Sequence, residues 1–110
     1  MTKLVILKTV ADFEKFQKSR AYHNPLMRLR VAFNNQNIPR FGFIIPKKVV
    51  PKVTDRNKIK RRLKGILRQN LEHMAARDLL IFPKKEALYL KYEQLNNETV
   101  KLLKQSKLWK

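Results

Sequence analysis

Between Thr54 and Arg68 the chain reads TDRNKIKRRLKGILR, seven Lys and Arg side chains in fifteen residues, and an apolar stripe runs through them. Ile59, Leu63, Ile66, Leu67, Leu71 and Met74 recur at spacings of three, four and seven, which only a helix brings to one side. That side must be buried against another layer of structure, so the segment commits the chain to a packed fold. Asn57, Lys60, Arg61, Lys64 and Arg68 follow the same spacings and form a second stripe, cationic at every position but Asn57. Like charges at i and i+4 cost a helix roughly 0.2 to 0.5 kcal/mol per pair. After Asp55 no acid relieves that cost until Glu72. A solvated basic face would be the plain reading in an ordinary protein. Here 26 Lys and Arg stand against 8 Asp and Glu, for a net charge of +18, and the stripe reads as a surface for phosphates.

At 110 residues there is material for one domain, 1–110, burying about 65% of the surface its unfolded chain exposes. Self-repulsion at +18 is best relieved by a polyanion, and a nucleic acid is the expected partner. No apolar run approaches the roughly 20 residues that cross a membrane, and no lipidation motif or long amphipathic anchor is present. No membrane association is expected. Leu4 to Leu7 is too short for a signal-peptide core, and without cysteine there is no disulfide framework or thiolate metal site, so the cytoplasm is the expected location. An apolar content of 44% with only two glycines excludes a disordered basic tail.

Periodicity divides the rest. Thr9 as an N-cap, Asp12 in the first turn, and Val10, Phe13 and Phe16 at intervals of three predict a helix over 10–19. From Met27 the chain alternates, with Leu29, Val31 and Phe33 directed one way and Arg28, Arg30 and Ala32 the other, as in a half-buried strand. NNQNIP supplies turn chemistry. RFGFIIP is apolar on both sides, with Phe41, Phe43 and Ile45 opposite Gly42 and Ile44, as in a central strand. Pro46 and Pro51 bracket an extended basic connection. Thr54 is the expected N-cap of the basic helix, DLLIFP a third strand, and Tyr92, Leu95, Thr99, Leu102 and Leu103 the buried stripe of a last helix over about 91–105. TKLVIL suits an extra edge strand. The expected order is α-β-β-α-β-α, with Ile59, Leu63, Ile66, Leu67 and Leu71 packed on Phe41, Phe43 and Ile45.

FGFIIPKK, VVPKV and RNKIKRRLKGILR together resemble the signature of the protein subunit of bacterial ribonuclease P. Lys47 and Lys48 match its Lys-Lys pair, Arg56, Asn57 and Lys58 its Arg-Asn-Arg, Lys60 and Arg61 its Lys-Arg, and Lys64 a later Arg. Asp12 and Phe13 are similar to the family's Asp-Phe, DLLIFP to its third apolar strand, and LKYEQL to the opening of its last helix. Lys58 and Lys64 keep the charge of the family's Arg without its planar fork, and Val49, Val50 and Pro51 stand where the family has glycine, so the chain resembles a divergent member.

The resemblance implies an α+β fold, a small mixed sheet flanked by helices with a left-handed βαβ crossover. It implies a large catalytic RNA as partner and precursor tRNA as substrate, cleaved at the 5′ end of the mature tRNA to release the leader. Mg2+ would be held mainly by the RNA, and the protein would bind no cofactor. Its RNA-binding residues would be Lys47, Lys48, Arg56, Asn57, Lys58, Lys60, Arg61, Lys64 and Arg68. The leader would lie on the sheet face carrying Arg28 and Arg30, near Phe13 or Phe16, because single strands are held by cations and stacked on aromatic rings. Phe13 and Phe16 fit a plain core role equally well from their spacing; the resemblance favours Phe13 for the groove.

The residues themselves agree with a protein that does no chemistry of its own. The eight acids are scattered, and no nucleophile has a plausible base. His23, read in a loop before the first strand, and His73, near the end of the basic helix, read as isolated surface or capping residues. A ribosomal or other structural RNA-binding protein shares the size and charge. A DNA-reading module would need base-reading side chains where this helix offers mostly phosphate-type cations, with Asn57 the exception.

Overall fold

In a computed structural model, the described residues are 5–6 (backbone only), 20–33, 38–106, 108 and 109. The helix expected over 10–19, with Phe13 and Phe16, lies outside them. A mixed five-stranded sheet is built from β1 (Val5–Ile6), β2 (Arg20–His23), β3 (Met27–Phe33), β4 (Arg40–Phe43) and β5 (Arg77–Pro83), in the order β1-β4-β5-β3-β2. β4 pairs with β1 and β5 in parallel, and β3 pairs antiparallel with β5 and β2. Helix α1 (Val53–Gln69) makes the crossover from β4 to β5, and α2 (Tyr92–Gln105) follows β5. The α+β class and the β-β-α-β-α succession from β3 onward match the expectation. The edge strand expected in TKLVIL is present as β1.

The apolar stripe of α1 is where the sheet is anchored. Ile59, Leu63, Ile66 and Leu67 are fully buried and join Leu29, Phe41, Leu79, Ile81, Leu95, Leu102 and Leu103 in one core, with Phe43 and Ile45 packed at its edge. Leu71 and Met74 continue the burial through the short 3-10 turn Leu71–His73. Thr99 is buried in the stripe of α2 without an orphaned hydroxyl, because its Oγ1 donates to the Leu95 carbonyl at 2.7 Å. The other side of the sheet carries a smaller cluster, Leu80 with Ala32, Ile44 and Phe82. Strand alternation explains the division: Leu79 and Ile81 of β5 face the helices, and Asp78, Leu80 and Phe82 face away.

Four expectations are corrected. Thr54 is not the N-cap: Lys52 holds that position in an extended conformation, and α1 begins directly after it, at Val53. His23 is not in a loop but ends β2, opposite Arg28. Phe33 shares the parity of Leu29 yet is 69% exposed, because it sits at the last pair of β3, against Arg77, beyond the cover of the helices. Tyr92, expected to open the buried stripe of α2, is 40% exposed in its first turn.

Candidate nucleic-acid interface

The residues of the second stripe of α1, with Lys58, fall on the sides turned from the core. Asn57, Lys58, Arg61 and Arg68 are exposed, and Lys60 and Lys64 are half-buried along the flank, where their stems can lie on the helix while the ammonium groups reach solvent. From Asn57 to Arg68 the row is about 16 Å long at the helical rise of 1.5 Å per residue. The sequence of α1 places no acid within that row; the acid of the first turn, Asp55, favours the positive N-terminal end of the helix dipole.

Lys47 and Lys48 extend this surface beyond the helix. They are exposed on a turn closed by the backbone N–H groups of Val49 and Val50, which donate to the Pro46 carbonyl at 3.0 and 3.1 Å. Arg56 ties that turn to the helix: its Nη1 donates to the carbonyls of Val50 (2.9 Å) and Pro51 (2.8 Å). Arg56 therefore serves the geometry of the connection with one nitrogen. Lys47 and Lys48 are thereby held in a fixed relation to the first turn of α1.

Arg62, which the periodicity of the basic stripe leaves out, has an internal role. Its Nη1 donates to the carbonyls of Ala87 (3.3 Å) and Leu88 (3.4 Å), and its Nη2 to that of Leu90. The 3-10 turn Lys85–Leu88 is thus pinned to α1. In the sequence this guanidinium looks like any other of the cluster. Its position on the helix, bordering the apolar stripe beside Ile59 and Ile66 on the flank opposite Lys60 and Lys64, is the signal the sequence offers.

On the far side of the sheet a second cationic surface is present. Arg28 and Arg30 of β3 project to the side away from the helices, paired in register with Phe82 and Leu80 of β5. Arg28 is exposed, and its guanidinium carbon lies 4.8 Å from the centroid of the Phe82 ring, a cation–π arrangement. In the sequence Phe82 is one residue of the apolar run DLLIFP; strand parity, which sets Leu80 and Phe82 against Leu79 and Ile81, marks it as a residue of this face. The expected ring partners Phe13 and Phe16 lie outside the described residues.

His73 stacks on Trp109 at 4.9 Å and 15°, with Glu72 Oε1 3.5 Å from its Nε2. Among the described residues no three His, Asp or Glu side chains come together where they could hold a metal ion. Asp78, the buried acid, is engaged by Arg40 through two bonds. Among the described residues no helix is long and apolar enough to cross a membrane.

The comparisons with known proteins agree with one another. The family model described as Ribonuclease P matches residues 1–107. The chain is 36% identical over 110 residues to the ribonuclease P protein component of Natranaerobius thermophilus, covering 98% of this chain and 95% of the relative. It is 37% identical over 107 residues to that of Mycoplasma mycoides, with 96% and 97% covered. In fold it is similar to the RNase P protein of Staphylococcus aureus, at a TM-score of 0.87 and 24% identity over 98% of this chain and 100% of the other. For the RNase P protein of Thermotoga maritima the TM-score is 0.76 at 22% identity, over 84% and 88%. With the family model spanning nearly the whole sequence and relatives above 30% identity end to end, this chain belongs to the ribonuclease P protein family.

Proposed function

We propose that the chain acts in the cytoplasm as one RNA-binding domain that assembles with a catalytic RNA and holds the 5′ leader of precursor tRNA, while the RNA and its Mg2+ carry out the hydrolysis. The observation that carries this reading is the placement of two cationic surfaces on opposite sides of one sheet. The row on α1, with Lys47 and Lys48, lies outside the helical layer, and Arg28 and Arg30 lie on the side of β3 turned away from α1 and α2. Two surfaces set back to back can engage two RNA segments at once, one belonging to the catalytic RNA and one to the substrate.

The roles follow from the chemistry of each surface. Lys47, Lys48, Lys58, Lys60, Arg61, Lys64 and Arg68 neutralise phosphates of the catalytic RNA, Asn57 hydrogen-bonds to it through its uncharged amide, and Arg56 sets the path of the connection between them. Arg28 and Arg30 hold phosphates of the leader, and Phe13, with Phe16 as its neighbour on the same segment, supplies a ring for an unpaired base. The scattered carboxylates give the protein no means of activating water, which supports leaving the chemistry to the RNA.

The test is reconstitution. Rigorously RNA-free protein with Mg2+ should leave precursor tRNA intact, and addition of the cognate catalytic RNA should yield mature 5′ ends bearing a 5′ phosphate. Cleavage by the protein alone would refute this division of labour.

A further inference from the structure

The turn between β5 and α2 presents two aromatic side chains beside the basic helix, and neither is used by the core. Tyr89 is 77% exposed and Tyr92 is 40% exposed. Single exposed aromatics are common on protein surfaces and need no explanation. These two differ in how firmly they are placed. Arg62 of α1 donates to the carbonyls of Ala87 and Leu88 on one side of Tyr89 and to that of Leu90 on the other. The Tyr89 N–H also donates to the Glu86 carbonyl at 3.2 Å. A backbone fastened on both sides of an exposed ring leaves little backbone entropy to lose when that ring is engaged.

Tyr92 is placed by a different contact. A Cβ on Gly65 would stand 3.1 Å from the Tyr92 hydroxyl oxygen, so the missing side chain lets the ring approach α1 closely, and the hydroxyl lies 3.5 Å from Gln69 Oε1. On a helix the neighbours of Gly65 at i−4 and i+3 are Arg61 and Arg68, two exposed members of the basic row. Exposed Lys85 and Lys91 flank the same turn. Rings held beside a row of cations form the combination that takes an unpaired nucleotide, with the base stacked and its phosphates neutralised.

We propose that Tyr89 and Tyr92 form a stacking edge of the α1 surface that receives unpaired bases of the RNA bound along the basic row. This rests on the reading of that row as an RNA surface, and it adds a contact that does not depend on charge. Stacking releases no counterions, so removing it should lower affinity without changing the salt dependence, whereas removing a phosphate contact changes both.

The experiment measures the affinity of the full-length protein for its cognate catalytic RNA across a salt series, for Tyr89→Ala, Tyr89→Trp, Tyr92→Phe, Tyr92→Leu and Arg61→Gln. Tyr89→Ala should weaken binding about 5- to 150-fold, the range for removal of one base stack, with an unchanged log-log salt slope and an unchanged melting temperature. Tyr89→Trp should bind as well as the parent, and Tyr92→Phe should bind better than Tyr92→Leu. Arg61→Gln should flatten the slope. If Arg61→Gln behaves so and Tyr89→Ala binds within twofold of the parent, the stacking edge is wrong and the basic surface stands. If neither substitution changes binding, the basic-surface reading has failed and the edge falls with it. Equal loss for Tyr89→Ala and Tyr89→Trp, or a melting temperature lowered by Tyr89→Ala, also overturns the proposal.

Discussion

Arg40 and Asp78 face each other across the parallel pair of β4 and β5, with Nε donating to Oδ1 at 2.8 Å and Nη2 to Oδ2 at 2.7 Å. The carboxylate is fully buried and the guanidinium largely so, and the fork engages both oxygens at once. The pair joins the starts of the two parallel strands of the βαβ unit that carries the basic helix, on the side of the sheet away from it.

Arg40→Leu should therefore destabilise the fold by about 3 kcal/mol, because the Asp78 carboxylate would stay buried without its guanidinium. Urea denaturation reads this as a lower midpoint at an unchanged slope. An unshifted midpoint would show that the pair contributes nothing to stability.

Arg62→Ala should cost about 1 to 3 kcal/mol, through carbonyls of the 85–90 segment left without their donor. Arg62→Lys should recover only part of it, since one ammonium cannot span three acceptors as a planar guanidinium does. Thermal melts of the two variants against the parent decide the matter, and equal melting of Arg62→Ala and the parent would contradict the pinning role.

Reversing charge at Arg61 and Lys64, as Glu at both positions, should weaken binding to the catalytic RNA and flatten its salt dependence, by on the order of 0.7 to 0.9 in the log-log slope for each phosphate no longer neutralised. Substrates with long and short leaders should suffer alike. Filter binding across a salt series checks both statements, and a selective loss for long leaders would move these residues to the substrate surface.

Phe13→Ala should leave assembly with the catalytic RNA nearly unchanged and cost about 1 to 3 kcal/mol of leader affinity. Arg28→Ala should lower leader affinity at the same surface, with a shallower salt slope. Both penalties should vanish for a substrate with a one-nucleotide leader, which is too short to reach the sheet. If Phe13→Ala instead lowers the melting temperature and weakens every substrate equally, Phe13 belongs to the core, and the groove is left to Arg28 and Arg30.

By itself the sequence determined those features whose physics is local. The period of α1 places Ile59, Leu63, Ile66 and Leu67 on one side and Asn57, Arg61 and Arg68 on another, whatever the helix packs against. Alternation likewise separates Arg28 and Arg30 from Leu29 along a single strand. Tertiary structure decided what depends on distant partners. β2 has no apolar period of its own and is a strand only because β3 pairs with it. Phe33 fits the buried parity but lies beyond the reach of the helical layer, so it is exposed. Arg56 and Arg62 carry the same charge as their neighbours, yet their guanidinium groups are turned onto backbone carbonyls. Charge is a property of the residue; the recipient of Arg62 is a property of the fold, because only folding brings the carbonyls of Ala87 and Leu90 within reach of the helix.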